Sequence, residues 1–288
     1  MVSLDSLSGV QLEPVRTRIA PEKVAEYVAA TGDDSDRWVE VAPPSYAGAL
    51  LFMAAPLLLD RDDVRGYTKV LVHVDQRFEW HQPLEIGAPV AIASRISKVR
   101  SRGASTFVGF DVAVDGPAGR WLDSSSTFLL GEEPASPPGV DHGEPEAALR
   151  GPNEIPSYVQ HSGAGSPLPS LAKSASRVDL VRYAGASGDF NPIHYDHEAA
   201  RHAGLEGIVV HGLLMGAWMS QLAAATSART DPLAELRLRF RTALRPGVST
   251  RVVGTVAGKP VDGIERIDLS VAAENVDLVT GHATVRVE

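Results

Sequence analysis

"YVAATGDDSD", residues 27–36, returns 156 positions later as "YAGASGDFNP", residues 183–192, with Tyr27 on Tyr183, Gly32 on Gly188 and Asp33 on Asp189. A second correspondence, "FEWHQPLEIG" ending at Gly87 against "LRFRTALRPG" ending at Gly247, lies at an offset of 160. Two matches at nearly one spacing predict an internal duplication. Between the copies, "GEEPASPPGVDHGEPEAALRGPNEIPSYVQHSGAGSPLP", from Gly131 to Pro169, is rich in Pro, Gly and Ser and has no sustained periodicity. It reads as an irregular linker. The expected division is therefore 1–131, 132–168 and 169–288.

Each copy carries the same series of segments. A short helical stretch comes first, Pro21 to Ala30 and Val178 to Ala186, stopped by a glycine suited to a left-handed helix end. A longer helix follows, Tyr46 to Leu59 and His211 to about Ala225, apolar around nearly its whole circumference. Such a helix must be enclosed on most sides. Extended segments with period-two alternation come next: Val70, Val72 and Val74 running on to Phe78 and Trp80; Leu236, Leu238 and Phe240 against Arg237, Arg239 and Arg241; Ile267, Leu269, Val271 and Ala273. One buried sheet face and one enclosed helix can bury each other. The prediction is an α+β fold, a double hot-dog of two tandem repeats, each a mainly antiparallel sheet wrapped around a long apolar helix. A generic two-domain α+β arrangement would also satisfy the periodicity.

The 288 residues, 44% of them hydrophobic, suffice for a sizeable core. The absence of cysteine excludes disulfides and thiolate metal ligation, in keeping with a reducing cytoplasm. The first residues lack a basic start followed by a continuous apolar run, so no signal peptide is expected. The longest apolar run, Tyr46 to Leu59, falls short of the ~20 residues a membrane span requires and contains Pro56. A net charge of −9 argues against nucleic acid as a partner. The expectation is a soluble, cytoplasmic protein.

The stretch "SGDFNPIH", residues 187–194, is too poor in apolar residues to be built for a core. Gly188 should end one helix and Asp196 begin another, leaving Asp189 to Tyr195 as a loop between rigid neighbours. Pro192 excludes Asn191 from the helical region and pre-shapes that loop. Fully extended, the steps from Asp189 to His194 would span ~17 Å, so a turn at Asn-Pro is needed to bring both side chains to one target. A carboxylate and an imidazole meeting on one water make a competent acid/base pair. The plainer alternative is that Asp189 caps a helix and His194 is a partly buried polar residue.

"YAGASGDFNPIHYDHEAA", Tyr183 to Ala200, followed by "GIVVHGLLMGAW", Gly207 to Trp218, resembles the MaoC-like (R)-specific enoyl-CoA hydratase and 3-hydroxyacyl-thioester dehydratase family in its double hot-dog form. The first half is similar to the degenerate N-terminal hot dog of such proteins, in "APPSYAGAL" from Ala42 and "HVDQRFEWHQPLEIGAPV" from His73. The resemblance implies reversible syn addition of water to a trans-2-enoyl thioester of fatty-acyl metabolism. Asp189 and His194 would be the catalytic pair that activates the water. Gly212 would give an oxyanion N–H at the start of a buried helix, with His211 beside it and Asn191 orienting the loop or the water. No cofactor and no metal are implied beyond coenzyme A or an acyl carrier protein as substrate carrier, and hot-dog pairs often associate further into homodimers.

The first half departs from the motif: Asn191 falls on Ser35, Pro192 on Asp36 and His194 on Trp38. That half is expected to do no chemistry, to complete the fold and to enlarge the acyl channel, with Asp33 an ordinary helix-end residue. Arg237, Arg239 and Arg241 on one strand face, or Arg95, Lys98, Arg100 and Arg102 on another, could meet coenzyme A phosphates or an acidic carrier, unless they are simply a solvated sheet face. A metal site built from Asp189, Asp196, His194, His197, His202 and His211 is disfavoured, since His197 and His202 stand five apart on a short helix. A thioesterase on the same fold and a non-catalytic acyl-binding or assembly subunit are the rival functions.

Overall fold

The computed structural model of the chain describes residues 4–68, 70–103, 105–131 and 151–287. Its first half carries strands β1 (Gln11–Arg18), β2 (Val70–Trp80), β3 (Pro89–Arg102), β4 (Ser105–Gly116) and β5 (Gly119–Gly131). The second carries β6 (Leu171–Lys173), β7 (Leu233–Phe240), β8 (Thr250–Val256), β9 (Ile264–Ala273) and β10 (Val276–Arg286). All ten join in one antiparallel sheet ordered β1-β3-β4-β5-β2-β7-β10-β9-β8-β6. The two halves therefore meet edge to edge where β2 pairs with β7, and each covers an edge that the other would leave open.

Two short helices, α1 (Pro21–Thr31) and α4 (Arg177–Ser187), end on Gly32 and Gly188 in the left-handed region, with φ of 61° and 80°. The duplicated tyrosines meet between them: the rings of Tyr27 and Tyr183 lie 5.9 Å apart. The long apolar helix of the second half, α6 (Gly212–Ala224), is buried from Leu213 to Ala224. Its counterpart in the first half runs as α2 (Ala47–Ala54) and α3 (Pro56–Leu59), joined through Ala55, which keeps helical angles of −56° and −36°. The hydrogen-bond ladder is interrupted there because Pro56 has no N–H to continue it and its ring crowds the preceding turn. The remaining helix, α5 (His197–His202), is capped by the Asp196 carboxylate, which accepts from the Ala199 N–H.

The alternation expected through β2 is also interrupted. A bulge between His73 and Asp75 shifts its pairing with β5, so Gln76, Phe78 and Trp80 are buried beyond it while Val72 is 41% exposed. One inserted residue exchanges the two faces of a strand. In the expected linker, positions 132–150 lie outside the described residues. Positions 151–168 hold no helix or strand yet follow the body closely: the Val159 N–H donates to the Ala225 carbonyl and the Leu168 N–H to the Gly254 carbonyl, both at 2.8 Å. No helix of the described residues is long and apolar enough to cross a membrane.

Close approach of strands is tested at Gly281 on β10, where an added Cβ would lie 1.9 Å from the Arg237 carbonyl oxygen. Gly281→Ala should open the β10–β7 ladder and cost more than about 2 kcal/mol in urea unfolding. Gly185, on α4 with open space around it, should instead gain up to about 1 kcal/mol on replacement by Ala.

Candidate functional site

The loop from Gly188 to Tyr195 is built by local hydrogen bonds. Asn191 caps a 3-10 turn over Pro192–His194, its side-chain oxygen accepting from the Ile193 N–H at 3.4 Å. Its Nδ2 donates at 3.4 Å to the Leu71 carbonyl of β2, so this side chain ties the loop to the first half of the molecule. The Asn191 N–H in turn donates to Asp189 Oδ1 at 3.3 Å. Turn geometry thus brings Asp189 and His194 together, with Asp189 Oδ2 3.9 Å from His194 Nε2. A water hydrogen-bonded to both atoms fits at the apex of that triangle.

The tautomer of His194 follows from its other nitrogen. Nδ1 lies 2.7 Å from the Val209 carbonyl, which can only accept, so Nδ1 carries the proton and Nε2 presents a lone pair toward Asp189. Burial raises the Asp189 pKa, opposed by His194 and the Asn191 N–H. Burial lowers that of His194, opposed by Asp189 and the Val209 carbonyl. The two groups share one buried site and titrate as a pair.

His211, fully buried immediately before α6, stacks on His194 with ring centroids 3.7 Å apart and planes at 23°, and its Nε2–H donates to the Asp189 carbonyl at 3.2 Å. Burial first, then the neighbouring His194, hold its pKa well below the usual imidazole value. Ligand atoms of Asp189, His194 and His211 lie within 4.8 Å of one another. Near-parallel stacked rings, however, direct their in-plane lone pairs side by side, whereas a tetrahedral ion needs them to converge. The arrangement suits a water better than an ion.

Asp189, Asn191, His194 and Gly212 all line one cavity of about 560 Å³. Its other walls come from both halves: Phe52 and Leu59 from α2 and α3, Leu71 and His73 from β2, Phe128 from β5, and Leu213, Met215 and Phe240. Gly212 stands at the start of α6, where backbone N–H groups have no intrahelical partner. Its lack of a side chain accommodates Phe240, whose ring would come within 2.9 Å of a Cβ there.

The three arginines separate. Arg241 lines the cavity and donates to Thr280 Oγ1 at 3.1 Å. Arg237 and Arg239 do not; they are held on the exposed face of the β2–β7 seam by Glu235 at 2.9 Å and Asp75 at 3.2 Å. In that seam Arg77 stands opposite Arg237 and Glu79 opposite Glu235, and the like charges are relieved diagonally, Arg77 pairing with Glu235 at 2.6 Å. Of the second basic group, Arg95 pairs with Asp111 at 2.9 Å. Asp196 and His202 are engaged locally, with the Ala199 N–H and the Glu198 carbonyl, apart from the cluster.

At the duplicated position of the first half, Trp38 stands against a half-buried Asp33, and Lys173 of β6, fully buried, donates to the Gly32 carbonyl at 3.2 Å and to Asn153 Oδ1 at 2.9 Å. Burial pushes the Lys173 pKa down to about 8, opposed by Asp33 and Glu154. Lys173 escapes notice in the sequence, since it sits in no motif, and His73 enters there only as the first residue of a stretch similar to the degenerate hot dog, with no role of its own.

This is a double hot-dog protein with a buried carboxylate–imidazole pair at the edge of an apolar cavity. Comparison with known proteins agrees on the fold. The profile described as a MaoC-like domain matches residues 160–276, and that of the FAS1-like dehydratase region matches residues 6–121. A UPF0336 protein of Cutibacterium acnes is 30% identical over 119 residues, 40% of this chain and 84% of that one. The 3-hydroxyacyl-thioester dehydratase X of Mycobacterium tuberculosis is 26% identical over 238 residues, 80% of this chain and 71% of the relative. A solved MaoC-like dehydratase superposes with a TM-score of 0.80 at 23% identity, covering 99% of this chain and 100% of that one. The chain belongs to the MaoC-like dehydratase family.

His73, His194 and His211 are all held below the ordinary imidazole pKa, His73 at about 4. Below pH ~6.5 the unfolded chain takes up protons that the folded chain refuses, so each ring withdraws stability as pH falls, by about 1.4 kcal/mol per pH unit until its folded pKa. The raised Asp189 and Asp33 act with opposite sign, stabilising at low pH and losing that contribution as pH rises through their folded values. The three rings, joined by His282, which burial also holds low, outnumber the two carboxyls. The urea midpoint should therefore fall from pH 7 to pH 5, and the fall should be shallower in His73→Phe.

Proposed function

We propose that the chain catalyses reversible syn hydration of trans-2-enoyl thioesters to (R)-3-hydroxyacyl thioesters, with the acyl group carried on coenzyme A or an acyl carrier protein and no further cofactor. The observation that carries this reading is the 3.9 Å separation of Asp189 Oδ2 and His194 Nε2 beside the first amides of α6. A water held by both atoms bonds through its oxygen to C3 of the enoyl group as one of its protons passes to Nε2. The C2–C3 π pair moves toward the thioester, forming an enolate whose oxygen is met by the Gly212 N–H. The proton then goes from the pair to C2. Because one pair serves both carbons from one side, addition is syn.

The other residues support that geometry. Asn191 fixes the loop against β2, and His211 holds the Asp189 carbonyl and packs the base. Apolar walls at Phe52, Leu59, Leu71 and Phe128 make the first half the lining of an acyl channel and leave the chemistry to the second. Arg241 is the cation placed to meet carrier phosphates; Arg237 and Arg239 serve the seam. With the base intact, a thioesterase or a binding-only subunit is the weaker reading.

Loss of enoyl ultraviolet absorbance across a chain-length series of trans-2-enoyl thioesters on either carrier, with the product's configuration determined, tests the reaction. Asp189→Asn and His194→Gln should each lower kcat/KM by about 10²–10⁴-fold with the fold retained. Asp33→Asn should leave turnover nearly unchanged. Release of free thiol, an (S) product, or full activity in His194→Gln would overturn the assignment.

A further inference from the structure

The β2 bulge places His73 on the cavity wall, between the rings of Phe128 at 4.7 Å and Phe240 at 4.9 Å. Behind it lies a buried polar network. Gln76 Nε2 donates to the Arg77 carbonyl at 2.8 Å and to Ser124 Oγ at 2.9 Å, while its Oε1 accepts from Ser126 Oγ at 2.7 Å and lies 3.1 Å from His73 Nε2. The Arg77 carbonyl can only accept, which fixes the orientation of the amide. Oε1 can then only accept from His73, so Nε2 carries the ring proton.

Burial drives the ring neutral, with its pKa pushed down to about 4 against the weaker opposing pull of Gln76 and the Asp75 backbone. A neutral imidazole protonated at Nε2 keeps a bare Nδ1, and that atom makes no side-chain hydrogen bond among the described residues. Gln76, Ser124 and Ser126 are each at most 3% exposed, so the network is paired internally and its cavity-lining member is His73. A hydrogen-bond acceptor thus stands in a stretch otherwise walled by Phe128, Phe240 and Leu71.

We propose that His73 is a specificity-determining residue that selects acyl chains bearing a hydroxyl group beyond the reacting carbons, a reading that rests on the hydratase assignment for the course of the chain. A hydroxyl donates to Nδ1 and keeps a partner on leaving water. A methylene leaves the imidazole nitrogen unpaired, and a ketone at the same carbon brings a second acceptor with no proton to share. Phe240 touches both His73 and the Gly212 position, so the selected hydroxyl lies one aromatic ring beyond the amides that receive the thioester oxygen.

Titration calorimetry with saturated acyl-CoA thioesters reads this independently of turnover: an unsubstituted chain, chains hydroxylated at successive carbons beyond C3, and the matching ketones, each against wild type, His73→Leu and His73→Phe. Wild type should bind the best hydroxylated chain at least about tenfold more tightly than the unsubstituted one, with no gain from the ketone. Both variants should lose that preference and bind unsubstituted chains at least as well. Each ratio is taken within one protein sample, so partial misfolding of a variant does not move it. Equal ratios in wild type and variants, a ketone matching the hydroxyl, or no acyl binding at all would overturn the proposal. Absence of turnover on every enoyl thioester, with the binding preference retained, would overturn the hydratase reading alone.

Discussion

Everything at the site depends on the edge-to-edge pairing of β2 with β7. That ladder makes one sheet of two repeats and sets the wall of one half against the loop of the other. It also explains the charge pattern at the seam. Arg77 faces Arg237 and Glu79 faces Glu235, and Arg77 reaches diagonally to Glu235, which Arg237 also holds along its own strand, while Arg239 meets Asp75 directly opposite. Without the joint, Asn191 would have no Leu71 carbonyl to hold and the turn that joins Asp189 to His194 would lose its anchor on the other repeat.

A second constraint is desolvation. Asp189, His194 and His211 are buried, and each is held by one backbone group, the Asn191 N–H and the Asp189 carbonyl of the loop and the Val209 carbonyl ahead of α6. Water removed from such a place cannot compensate a wrong protonation state, so the carbonyls of Val209 and Asp189 decide which nitrogen holds each proton. The apolar helix contributes twice, by filling the core of its repeat and by presenting free amides where charge would develop.

Much of this was legible in the chain. Repeated glycines at 32 and 188 announce two helix ends, Asn-Pro announces the turn, Asp196 announces a cap, and the all-round apolar run from His211 announces an enclosed helix. These are local signals and survive in any context. What escaped is set by partners distant in sequence. The bulge at His73 leaves no mark in composition, yet it inverts which side of β2 is inward. The Val70–Val74 alternation therefore misleads. Pro56 was visible and its interruption of the hydrogen-bond ladder in the first apolar helix should have been expected, since apolar content does not supply a missing N–H. The division of labour among Arg237, Arg239 and Arg241 depends on which strand lies alongside, and one strand's own residues do not say that.

Lys173 carries a consequence for any redesign of the first repeat. It comes from the second repeat, yet its ammonium is spent on the Gly32 carbonyl and Asn153, at the place where the first repeat would carry its own loop. A histidine placed at Trp38 would therefore meet a floor already occupied by a cation lent from the other repeat, and giving both repeats the same loop would require changes in both at once.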